Sequence, residues 1–132
     1  MEFTREGTST TKPPLLEGSS NYASWKVRRT AFLRSLDHDV WQTVLNGYKS
    51  PTMDVDGKTI PKPVADWTQG DRNQTHWNDR AMNAIYNGVN HSEFRRISTC
   101  ATAKEAWDLL RTVHEGTDIV KQTKLQKFNN CL

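Results

Sequence analysis

Apolar residues in this chain recur at helical spacing over several separate stretches and hardly ever alternate as a strand requires. Ser19 and Ser20 are both good N-caps, and the run from there to about Leu36 places Tyr22, Trp25, Arg29, Phe32, Leu33 and Leu36 on one face of a first helix. Arg29 is the one charge inside that stripe, while Lys26, Arg28 and Arg34 lie away from its centre. Asp37 or Asp39 caps a short second helix carrying Val40, Trp41, Val44 and Leu45, closed by Asn46-Gly47. From Gly47 to about Gly70 the period is lost and Pro51, Pro61 and Pro63 intervene. A loop of that length in a compact domain tends to be functional, mobile or both. Asp56-Gly57 is a good two-residue turn, so Met53 to Ile60 can form a small hairpin, with Trp67 anchoring the loop's return.

The helical period then resumes. A third helix, capped by Asp71 and ending near Asn87, lines up Trp77, Ala81, Ala84, Ile85 and Gly88, small residues that permit close packing. Asn90 to Ser98 makes a short fourth helix with Phe94 and Ile97 pointing inward. Thr102 with Glu105 reads as a capping box ahead of the cleanest stripe in the chain: Ala103, Ala106, Trp107, Leu110 and Val113, with Gly116 as its end. Asp118 caps a last helix through Lys124 and Phe128, cut at Leu132. Residues 1–12 are polar and aperiodic and are expected to be disordered. Pro13-Pro14 starts an extended entry from which Leu15 and Leu16 tuck against the domain before Gly18 turns the chain. The expectation is an all-α domain over 13–132, a bundle of about five to six helices with a long proline-containing loop between the second and third.

Composition sharpens that expectation. Leu, Ile, Val and Phe make up only 25 of 132 residues. Such scarcity signals disorder when joined to high net charge, but here Lys and Arg (18) nearly balance Asp and Glu (15). Five Trp and three Tyr add bulky apolar surface, so an aromatic-heavy core is expected. No apolar run is long enough to span a bilayer, and the first 30 residues contain no leader-like segment. Cys100 and Cys131 are distant in sequence and are expected as free thiols. Asn73-Gln74-Thr75 and Asn90-His91-Ser92 are chance sequons.

A search for chemistry comes back thin. His38, His76, His91 and His114 lack metal-ligand spacing, and neither cysteine has a close Cys or His partner. Asp54-Val55-Asp56-Gly57 lacks the further ligands of a calcium loop and reads as the hairpin turn. No phosphate-cradling glycine loop and no nucleophile–base set is present, so neither a cofactor nor a small-molecule substrate is expected, and no enzyme. Two basic clusters remain: Lys26, Arg28, Arg29 and Arg34 in the first helix, and Lys121, Lys124 and Lys127 at spacing three in the last, where they can meet RNA phosphates. A solvated helix face is the simpler reading, since a net charge of +3 gives only a weak field. Trp25, Trp41, Trp77 and Trp107 fall on apolar stripes, so core packing outranks base stacking for each.

The order of these motifs resembles a known pattern. Leu16-Glu17-Gly18, Asn21-Tyr22 and Trp25, then Trp41-Gln42-Thr43-Val44 and Gly47, look like the start of the Gag polyprotein of copia-type LTR retrotransposons, plant elements above all. Ala81 to Ile85, Ile97-Ser98, Cys100, Thr102 through Leu110, Glu115-Gly116-Thr117, Val120-Lys121 and Lys124-Leu125 continue the match. The resemblance implies a structural protein: the amino-terminal, all-helical part of a capsid-forming region, similar in role to retroviral Gag, that assembles with copies of itself into cytoplasmic virus-like particles around RNA. The family's zinc knuckle and the aspartic protease motif are absent from this stretch, so neither metal-dependent RNA binding nor catalysis carries over. A host-domesticated Gag domain that binds a protein partner is a further reading. Arg29 departs from the family pattern, which usually has an apolar residue there, often Met. Such a residue either snorkels from the core edge or marks a contact surface.

Overall fold

The computed structural model describes residues 14–116, so the expectations for the amino-terminal tail, for Lys121, Lys124 and Lys127 and for Cys131 lie outside the described residues. Five α-helices and one hairpin are present among them: α1 (Tyr22–Leu36), α2 (His38–Asn46), β1 (Thr52–Val55), β2 (Lys58–Pro61), α3 (Gln69–Tyr86), α4 (His91–Ile97) and α5 over 103–116. A 3-10 turn at Val64–Asp66 joins the hairpin to α3. The domain is all-α in class.

Local chemistry explains most boundaries. Asp37 alone separates α1 from α2: its backbone is extended, and its carboxylate accepts the Asp39 N–H at 2.8 Å. Gly47 closes α2 with φ +94, a conformation that favours glycine, and its N–H returns to the Thr43 carbonyl at 2.8 Å. Two starts differ from expectation. The α1 N-cap is Asn21, not Ser19 or Ser20, and its side chain caps nothing in the helix. Asn21 instead binds the entering arm, accepting from the Glu17 N–H at 2.9 Å and donating to the Leu15 carbonyl at 2.8 Å. In α3 the N-cap is Thr68, and Asp71 sits three residues in as the reciprocal half of a capping box. Thr102 does accept the Glu105 N–H, but the Glu105 carboxylate reaches back to the Ala101 N–H, one residue before the cap. Gly116 is still helical.

The loop of 47–70 is far more ordered than its composition implies. β1 and β2 pair antiparallel with Val55 opposite Lys58 around the Asp56-Gly57 turn, as the two-residue motif predicts. Lys62 holds the base of the hairpin: its N–H donates to the Pro51 carbonyl and its Nζ to Asp71 at 3.0 Å. Trp67 Nε1 donates to the Lys62 carbonyl at 3.0 Å, which realises the anchor expected of it. Tyr48 and Thr75 join their hydroxyls at 2.6 Å and tie the loop's start to α3.

The core forms where α1, α2, α3 and α5 meet. Its buried members include Leu16, Trp25, Leu33, Val40, Ile85, Ile97, Trp107 and Leu110. Aromatic rings run through it in sequence. Trp41 meets Trp107 edge-on at 5.7 Å, Trp107 meets Trp25 at 5.6 Å, and Trp25 meets Tyr22 at 6.1 Å. Trp77 is only half-buried against this cluster. Leu16, in the arm, pairs with Val89 as a parallel bridge. Trp107→Ala removes the ring shared by two of these contacts and should destabilise the domain by about 3–5 kcal/mol. Urea unfolding followed by circular dichroism measures it, and an unchanged midpoint overturns the assignment.

Candidate interaction surfaces

At the end of the domain where the arm meets α1, α4 and α5, a polar network replaces apolar packing. His114, on α5, is 2% exposed and Glu93, on α4, is 3% exposed. The imidazole Nε2 lies 2.9 Å from Glu93 Oε1, and Nδ1 lies 2.8 Å from Ser19 Oγ. Tyr22 stacks on the imidazole at 5.1 Å, and its hydroxyl donates to Glu115 at 2.6 Å. Lys26 Nζ reaches the same Glu115 oxygen at 2.6 Å. Arg96 adds a longer ion pair to Glu93 at 3.5 Å.

Serine, imidazole and carboxylate stand in a row, with the imidazole and the carboxylate both buried. A reacting carbonyl needs access and oxyanion donors as well as the row itself. What the arrangement does is hold four segments together around an imidazole whose two nitrogens both have partners.

Burial pushes the Glu115 carboxyl up, yet the hydrogen bonds from Lys26 and Tyr22 and the charges of Lys26 and Arg111 outweigh it and hold the group below the ordinary carboxylate value. Burial, together with the Glu115 carboxylate, raises the Tyr22 phenol.

Among the described residues, the basic residues singled out on α1 do not gather into a patch. Lys26 is neutralised by Glu115, whereas Arg28 and Arg34 are exposed. Six residues apart on one helix, those two arginines point about 120° from each other. Of the motif residues, Tyr22, Trp25, Trp107 and Leu110 are buried, Trp41, Trp67 and Trp77 are half-buried, and Gly18 turns the arm with φ +152.

The sequence reading passed over Glu93 and Asn78 and weighed His114 only as a metal ligand. Each stands on a stripe already recognised: His114 is four residues past Leu110, Glu93 four before Ile97, and Asn78 three before Ala81. Asn78 Oδ1 accepts the Ala103 N–H at 3.0 Å and so caps α5 from α3.

The remaining surface feature is apolar. Every residue of the hairpin but Met53 is exposed. Val55 and Ile60 are exposed on it and Val64 is exposed in the 3-10 turn that follows, while Val27 stands 71% exposed on α1. Among the described residues no helix is long and apolar enough to cross a membrane, and no group of three or more potential metal ligands occurs.

A family model described as the gag-polypeptide of LTR copia-type matches residues 31–131 of the 132. No curated protein and no solved structure matches the chain. The chain belongs to the copia-type gag family, whose role in retrotransposons is structural. The matched region begins inside α1, after the arm, Trp25 and Arg29.

Glu115 has a lower value folded than unfolded, so its stabilisation is present above the unfolded value and is lost as pH falls through the folded one. Glu115→Gln should cost up to about 1 kcal/mol at neutral pH and flatten the acid limb of the stability curve, measured by urea titrations from neutral to acid pH. Glu93→Ala leaves a buried imidazole nitrogen without its partner and should cost about 1–3 kcal/mol, read as a lower urea midpoint.

Proposed function

We propose that this gag domain is a self-associating unit of retrotransposon virus-like particles in the cytoplasm, and that its chemistry is contact and not catalysis. The observation that carries the reading is the exposed hairpin and the turn after it, with Val55, Ile60 and Val64 open to solvent in a chain poor in aliphatic residues. A fold with so little aliphatic material for its core has reason to bury it, so aliphatic residues left in solvent point to an interaction site.

A single contact of this size is weak. Specific stable interfaces bury at least about 1,200 Å², and multiplicity over a closed or extended assembly supplies what each contact lacks. A basic RNA-binding face on α1 is not the reading favoured here, because Lys26 is already paired and its neighbours diverge.

The full chain should therefore show concentration-dependent mass by multi-angle light scattering. Ile60→Asp and Val64→Asp, both on exposed sites, should abolish that dependence while leaving the melting temperature within a few degrees. A strict monomer up to millimolar concentration overturns the proposal.

A further inference from the structure

Arg29 is 4% exposed, and its Nε, packed against Gly88, has no hydrogen-bond partner. Its guanidinium donates one long bond, from Nη1 to the Ala84 carbonyl at 3.3 Å, and lies 4.9 Å from the Phe32 ring centroid. Among the described residues no carboxylate lies within ion-pair distance of it. Burial lowers its pKa, the sign of a charge taken out of water without compensation. A buried cation lacking a counter-charge is among the costlier arrangements in a protein.

The surroundings show what the arrangement is built to meet. A cavity of about 210 Å³ opens between α1 and α3, lined by Arg29, Phe32 and Leu36 on one side and Arg80, Asn83 and Asn87 on the other. Each set recurs at i, i+3 and i+7, so the two facing helix stripes form the cavity's walls. Arg80 also lacks an ion-pair partner among the described residues. The carbonyl end of α3 offsets roughly half a unit of positive charge, and two guanidinium groups leave the cavity cationic. Its volume is below the roughly 300 Å³ at which small-molecule pockets begin, which suits one side chain or a small anion and not a nucleotide. Phe32 and Leu36 provide an apolar wall suited to a methylene stem, whereas a phosphate is strongly hydrated on every side.

We propose that this cavity binds a carboxylate carried on a short aliphatic stem, with the Arg29 guanidinium as its principal ligand, Arg80 as a second cation and the Asn83 and Asn87 amides at the rim. The source is either an acidic side chain of another copy or a free small carboxylate. The site is independent of the hairpin contact, and either can fail without the other.

The test is a nuclear magnetic resonance titration of the full isotope-labelled chain with sodium propionate, against sodium chloride and sodium phosphate at matched ionic strength. Propionate should give saturable shifts of the Arg29 guanidinium signals and of the Asn83 and Asn87 side-chain amides, with a dissociation constant on the order of millimolar, as five heavy atoms allow. Arg29→Met replaces the buried charge with an apolar side chain of similar length, so the variant should stay folded and lose the response. Arg29→Lys, which keeps a charge without the fork, should weaken binding about tenfold. A response no different from chloride, one retained in Arg29→Met, or tighter binding of phosphate overturns the proposal. Diluting the protein without propionate identifies the source: the Arg29 signal moves if another copy supplies the carboxylate and stays fixed if a free carboxylate does.

Discussion

Three contacts converge on Gly88, just past the end of α3, and the position of the other elements follows from them. The Gly88 carbonyl accepts the Trp25 indole N–H at 2.6 Å and the Leu16 N–H at 2.8 Å, which uses both of its lone pairs. On the Cα side the Arg29 guanidinium lies so close that a Cβ would meet Nε at 2.5 Å. One residue without a side chain thus sets the depth of α1 against α3, places the entering arm beside Val89 and leaves room for a buried charge. The α4 N-cap, Asn90, completes the junction by donating its N–H to the Leu16 carbonyl at 2.9 Å.

From that junction the aromatic chain extends the core. Trp25 is fixed by its hydrogen bond and sits between Tyr22 and Trp107, and Trp107 in turn orients Trp41 on α2. Large rings do here what aliphatic side chains do in richer sequences, and the geometry of each contact is tilted or edge-on, as the ring quadrupoles favour. Where the rings run out, at Tyr22, the packing passes over to His114, Glu93 and Ser19. The domain therefore closes one end with polar bonds, which require exact partners and tolerate little substitution.

Charge is distributed to match. Lys26 and Glu115 neutralise each other at the polar end, Lys62 and Asp71 brace the hairpin, and Lys104 pairs with Asp108 along α5. The two arginines facing the α1–α3 cavity stand outside this pairing. For a gag polypeptide, a helical body that leaves Val55 and Ile60 exposed on its hairpin is consistent with a structural role.

Local signals made much of this legible beforehand. Helical spacing located α1 to α5, the Asp56-Gly57 pair placed the hairpin turn, and Asn46-Gly47 closed α2, because each depends on neighbours within a few residues. Core positions at Trp25, Leu33, Ile85, Trp107 and Leu110 follow from the same periodicity. Periodicity says which residues face inward but not what they meet. The sequence alone could not tell that Asn21 serves the arm and not its helix, that Lys26 is neutralised by a residue 89 positions away, or that Arg29 is buried without a counter-charge. Nor could it bring Ser19, Glu93 and His114 together. Those outcomes depend on how whole helices cross, and crossing is decided by close approaches such as the one at Gly88, which only the tertiary structure contains.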